Sequence, residues 1–119
     1  MKDSDQIVEI KEGYGIRQFD DGSTYEGDWA HNMPNGQGTF SYSNGDTYTG
    51  NFKNGSMDGQ GEMKYKNGQV YKGNFTKDKR EGMGLLILQD GTCYLGEFKN
   101  DQVQGKGQVT YIDGTVERV

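Results

Sequence analysis

A chain of 119 residues has room for one domain at most. Hydrophobic residues make up only 30%, which in random order would favour disorder, but here 20 glycines, eight tyrosines and five phenylalanines fall in register. The net charge of −5 disfavours nucleic acid and anionic lipid as main partners, since both need a basic surface. The lone Cys93 makes no intrachain disulfide, no apolar run is long enough for a transmembrane helix, and the acidic opening Met1-Lys2-Asp3-Ser4-Asp5 lacks a signal-peptide core. A cytoplasmic location is the expectation.

Residues 1–12 carry no complete motif, and Ile7, Val8 and Ile10 are expected to form a capping strand. Gly13-Tyr14-Gly15 opens the second half of a broken repeat, 13–21. The phrase Tyr25-Glu26-Gly27-Asp28-Trp29 then returns every 23 residues, at Tyr48, Tyr71 and Tyr94, each time ending in Phe: Phe52, Phe75, Phe98. Paired glycines keep the same period at Gly36/Gly38, Gly59/Gly61, Gly82/Gly84 and Gly105/Gly107. Full repeats therefore span 22–44, 45–67, 68–90 and 91–113, and 114–119 begins another. A fixed period of this size means an array of neighbour-stacked units.

Within each repeat the side chains alternate with period two, which indicates strands. Tyr48, Gly50 and Phe52 face one way, and so do Gly59, Gly61, Met63 and Tyr65. For Phe40 and Tyr48 to share a face, the loop between repeats must have odd length, as in Ser43-Asn44-Gly45, a type I turn closed by a glycine bulge. Within a repeat, an even loop Asn54-Gly55-Ser56-Met57 would pair Phe52 with Gly59, Gly50 with Gly61 and Tyr48 with Met63. The fold expected is all-β: an elongated single-layer antiparallel β-meander of tandem 23-residue hairpin repeats, bent into a groove-shaped ribbon. Its floor would be a row of glycines, with each aromatic ring of the Trp29/Phe52/Phe75/Phe98 row lying over a neighbouring strand's glycine.

Chemistry is sparse. The Gly-x-Gly pairs have no following Gly-Lys-Ser/Thr and lead into strands, so a phosphate-loop reading fails. His31 lies in a loop, and one His with one Cys offers neither a catalytic triad nor a metal set. Asp20-Asp21-Gly22 and Asp90-Gly91 read as turns, lacking the spaced oxygens of a calcium loop. No catalytic residue, metal ligand or cofactor is expected, and the chain is read as not an enzyme. Lys72, Lys77, Lys79 and Arg80 form the only basic cluster, interleaved with Asp78 and Glu81, so lipid binding is weak at most.

Two surfaces are candidates for partners. The first is the groove walled by Tyr25, Trp29, Phe40, Tyr48, Phe52, Tyr71, Phe75, Tyr94 and Phe98, whose rings a bent sheet should leave open on one side to accept an apolar helix or extended segment. The second is on the opposite face, where most strands are polar. There Val70, Met83, Leu85, Ile87, Cys93 and Leu95 should form an apolar patch, with Ile87 between Val70 and Cys93 and Leu85 between Lys72 and Leu95. A protein partner is expected at both, and a homodimer is an alternative occupant of the patch or of the edge strands.

The segment Gly45-Asp46-Thr47-Tyr48-Thr49-Gly50-Asn51-Phe52, followed by Gly59-Gln60-Gly61, resembles the MORN repeat (membrane occupation and recognition nexus), and the likeness covers 13–116. Trp29 alone keeps the tryptophan of the motif. The resemblance implies an extended hairpin array that binds proteins or dimerises, as a scaffold or assembly subunit. By family analogy the setting is a cytoskeletal or ciliary complex, such as an axoneme or radial spoke. The alternative is a peripheral membrane adaptor that binds phospholipid headgroups.

Overall fold

The computed structural model describes residues 12–119. The capping strand expected around Ile7, Val8 and Ile10 lies outside them. Ten strands follow in chain order: β1 (Gly13–Gln18), β2 (Thr24–Ala30), β3 (Met33–Ser41), β4 (Thr47–Lys53), β5 (Ser56–Lys64), β6 (Val70–Thr76), β7 (Lys79–Ile87), β8 (Cys93–Lys99), β9 (Gln102–Thr110) and β10 (Val116–Arg118). Each pairs antiparallel with the next, so the sheet order is the sequence order. The sheet is open and elongated, with extents of 55 × 23 × 20 Å. Its smallest extent is twice the ~10 Å depth of one packed layer, so the strands twist and curl around their own side chains.

Between repeats the chain turns as the parity argument requires. Tyr42 donates its N–H to Asp46 O at 2.8 Å, and Gly45 donates to Tyr42 O at 3.0 Å, enclosing the three-residue loop Ser43-Asn44-Gly45. Gly45 sits at φ +102°, the left-handed position that closes such a loop. The residue before the turn glycine's partner strand is also fixed: Asp21, Asn44, Asn67, Asp90 and Asp113 each accept the backbone N–H two residues on, at 2.9 Å. The carboxylates of Asp21 and Asp90 are thus spent on their own turns.

Within a repeat the expected loop is corrected. Lys53 pairs with Ser56, so the turn is the two residues Asn54-Gly55, at φ +49° and +87°. The equivalent turns His31-Asn32, Lys77-Asp78 and Asn100-Asp101 have positive φ at both positions too, the geometry whose twist matches that of the strands. The two residues saved from the loop reappear as a bulge. Gly50 pairs with Gly61 and Tyr48 with Met63 as expected, but Phe52 pairs with Met57, leaving Asp58-Gly59-Gln60 opposite Asn51. Phe52 therefore does not face Gly59, and Phe75 faces Arg80 where Gly82 was expected. Ring–glycine pairing survives only across repeat boundaries, as Gly36↔Phe52, Gly59↔Phe75 and Gly82↔Phe98.

The glycine floor forms as expected, Gly27↔Gly38↔Gly50↔Gly61↔Gly73↔Gly84↔Gly96↔Gly107. Tyrosine covers it. A Cβ on Gly61 would fall within the Tyr48 ring and hydroxyl, and one on Gly84 within those of Tyr71. Three of the four tyrosine hydroxyls then reach the bulge: Tyr25 donates to Asp28 O at 2.7 Å, Tyr48 to Asn51 O at 2.8 Å and Tyr71 to Asn74 O at 2.9 Å. The bulge residue is the one with no ladder partner on that side, so the hydroxyl satisfies a carbonyl that the irregular register would otherwise strand.

The core is a single file of rings. Trp29, Tyr25, Phe52, Tyr48, Phe75, Tyr71, Phe98 and Tyr94 follow one another edge to face, with centroids 5.0–5.6 Å apart. Tyr25, Tyr48 and Tyr71 are each clamped between their own repeat's Trp29, Phe52 or Phe75 and the phenylalanine of the next repeat, so stacking repeats is what completes the core.

Candidate functional site

The rings proposed to wall an open groove turn out to be the core itself. Tyr25, Tyr48 and Tyr71 have no exposed surface, and Trp29, Phe52, Phe75, Tyr94 and Phe98 are also buried. The expectation that one side of each ring would stay open is corrected: neighbouring rings cap one another's faces, which a row of isolated rings could not do. Phe40 alone of the nine is only partly buried, beside the similarly placed Phe19, Tyr42, Tyr65, Leu86 and Val109. What the aromatic face leaves open is therefore narrower than a continuous groove.

One opening on that face centres on the second full repeat, 45–67, and takes walls from the repeats on either side. It is a cavity of about 440 Å3 walled by Phe40, Tyr42, Phe52, Met57 and Met63, with the carboxylates of Asp46 and Asp78 at its rim. Burial pushes the Tyr42 hydroxyl up to about 12, and the nearby charges of Asp78 and Asp46 push the same way. Tyr42 Oη lies 3.6 Å from Met57 Sδ. Sequence reasoning passed over Tyr42, Asp46, Met57 and Asp78. The signal was available in the column of residues at 23-residue steps, where Pro34, Met57, Arg80 and Val103 share one place and Gly55, Asp78 and Asp101 another.

The opposite face carries the second candidate, and the register assembles it as expected. Ile87 pairs with Val70 and Cys93, and Leu85 with Lys72 and Leu95. Met83, paired with Glu97, extends the patch along β7. Met83 is 54% and Leu95 48% exposed, while Val70, Leu85, Ile87 and Cys93 are half-buried against one another. One repeat earlier the places of Met83, Leu85 and Ile87 are held by Gln60, Glu62 and Lys64, and one repeat later by Lys106, Gln108 and Thr110. Nothing in the repeat fold requires apolar residues there. Elsewhere the same face is laced with polar contacts, including Thr39 Oγ1 to Thr49 Oγ1 at 3.2 Å and the amide pairs Gln37–Asn51 and Gln60–Asn74.

The remaining candidates resolve into structural roles. His31 is exposed in its turn, with Nδ1 3.9 Å from Glu12 Oε2. The Cys93 Sγ lies 3.4 Å from Gly91 O. The basic cluster is split: Lys72 takes the outer face beside Leu85, whereas Arg80 turns inward opposite Phe75. There its guanidinium lies over the rings of Tyr71 and Phe98, at 5.6 and 5.2 Å. Among the described residues no group of His, Cys, Asp and Glu could hold a metal ion.

This geometry defines a tandem β-hairpin repeat protein, with one unbroken sheet and a core formed between units. The MORN repeat family model matches five units, at residues 10–24, 25–47, 48–70, 71–93 and 94–116, so the chain belongs to the MORN repeat family. The matched units cover 10–116 with no catalytic family among them, and their boundaries fall at the tyrosines that cover the glycine floor. No curated protein matches the chain at significant similarity.

Proposed function

We propose that the chain is a non-enzymatic scaffold or assembly subunit that binds other proteins, with the apolar patch on β6–β8 as its principal contact. The observation that carries this reading is the replacement of a polar outer face by Val70, Leu85, Ile87, Cys93 and Leu95 over three adjacent inner strands, where the equivalent places in the neighbouring repeats are polar. A contiguous apolar surface with no role in the core is a surface kept for a partner. The cytoskeletal or ciliary setting, in the cytoplasm, is part of this proposal and rests on family likeness alone. Splitting of the basic cluster, with Arg80 engaged internally, leaves the membrane-adaptor alternative with less charge on any one face.

The test is affinity capture from native extract with the wild-type chain beside Leu85→Lys, both checked for a folded β spectrum, with sedimentation of each alone. The reading predicts a defined set of proteins on wild type that the folded variant loses. Retention of the same set by Leu85→Lys would remove the patch from the account. Dimeric wild type and monomeric variant would make a second copy the occupant, and flotation of both with anionic vesicles would favour the membrane adaptor.

A further inference from the structure

We infer that the cavity centred on the second full repeat is a receptor for an arginine side chain presented by a partner protein. This deepens the scaffold reading, from which it takes only the source of the arginine. The chain holds its own template one repeat further on. There Arg80 lies over Tyr71 and Phe98, its Nε is 3.5 Å from Asp101 Oδ1, and its Nη2 donates to Asp101 O.

A step of 23 residues back replaces Arg80 by Met57, Asp101 by Asp78, and the ring pair by Tyr48 and Phe75. The backbone cradle is the same in both. Met57 N–H donates to Asp78 Oδ1 at 2.8 Å, as Arg80 N–H does to Asp101 Oδ1 at 2.8 Å. The return bonds, Asp78 N–H to Met57 O and Asp101 N–H to Arg80 O, are 3.0 and 3.1 Å. What differs is the cation: Met57 brings no guanidinium, Tyr48 and Phe75 stay buried in the core, and beside Met57 and Asp78 the 440 Å3 cavity opens, walled by the rings of Phe40, Tyr42 and Phe52. Asp46, where the next repeat has Gln69, adds a second carboxylate to the rim. Neither Asp46 nor Asp78 is in an ion pair with a cation among the described residues. Two carboxylates over a floor of Phe40, Tyr42 and Met57 select a cation with flat, weakly hydrated faces and forked donors, which describes guanidinium better than ammonium.

The test is amide NMR of the full chain titrated with N-acetyl-arginine amide, and in parallel with N-acetyl-citrulline amide, its neutral isostere. Saturable shifts at the Gly55, Met57 and Asp78 amides with arginine, absent with citrulline, are expected. Asp78→Asn keeps an acceptor for the Met57 amide and should stay folded while weakening binding about tenfold or more. Met57→Arg supplies the guanidinium from within and should abolish binding while raising the thermal midpoint. Peptides selected on the wild-type chain should share an arginine that peptides selected on Met57→Arg lack. Equal response to citrulline, undiminished binding by Met57→Arg, selected peptides without arginine, or no saturable shift would each overturn the proposal. The outer-face reading is judged separately by Leu85→Lys, which touches none of these residues.

Discussion

At the scale of single residues, Tyr48 and Tyr71 each do three things: they cover the glycine floor, separate two phenylalanine rings and satisfy a bulge carbonyl. These roles can be separated by removing one oxygen. Tyr48→Phe keeps the ring and leaves Asn51 O without its buried donor, so a loss of about 1–3 kcal/mol is expected in urea unfolding. Tyr94 is the counter-case. Its hydroxyl is buried with no hydrogen-bond partner, so Tyr94→Phe should cost nothing or stabilise slightly. Equal losses in the two variants would show that the carbonyl bond is not what the hydroxyl contributes.

Burial of the same hydroxyls sets the alkaline limit of the fold. Tyr25 and Tyr71 are pushed up to about 12 from an ordinary value of 10.0, chiefly by burial, and Tyr48 is raised for the same reason. The neutral phenol is the form the folded state holds. Its contribution is therefore complete below pH 10 and fades as pH rises through about 12. Tyrosinate absorbance and far-ultraviolet circular dichroism should change together above pH 10 as the sheet opens. Full ionisation with the β spectrum intact would mean that the rings are wetter than their packing indicates.

At the scale of the element, the loops show which features alternation can reveal. Phe40 and Tyr48 must share a face, and this fixes an odd loop between repeats, which Ser43-Asn44-Gly45 supplies. The loop inside a repeat carries no such information. Moving two residues from the Asn54 loop into a bulge at Asp58-Gly59-Gln60 leaves every side chain on its original face, because the strand period is two. Sequence parity thus predicts the glycine floor and the outer patch, but is blind to the bulge and to the hydroxyl bond that completes it. Nor can parity say how deep a ring sits, which is why the aromatic row read as a groove. The facing assignment itself is testable. A Cβ on Gly73 would lie 2.7 Å from Gly84 Cα and from the Tyr71 hydroxyl, whereas Thr49 is exposed on the outer face. Gly73→Val should therefore cost several kcal/mol, roughly the range for severe overpacking, and Thr49→Val less than about 0.5 kcal/mol. Thermal melts of the two side by side decide it.

At the scale of the molecule, the strand order makes stability a nearest-neighbour sum. Every strand pairs only with its sequence neighbours, and the turn contacts, such as Asp78 with Met57, reach just one repeat further. A whole repeat should then be removable provided the phase is kept. Deleting 71–93 joins Val70 to Tyr94 and brings Asp101 against Met57, where its carboxylate can accept the same backbone N–H that Asp78 accepts now. The shortened chain should fold, with a urea m-value lower by roughly a fifth, in proportion to the surface no longer buried. Deleting 71–94 removes a single residue more, yet puts Leu95 in the place of a floor-covering tyrosine and turns every later side chain to the wrong face. That chain should show no cooperative transition over its C-terminal strands. If both deletions fold alike, the core is not held in register by ring and glycine. If neither folds, the repeats are not the independent units that their 23-residue period implies.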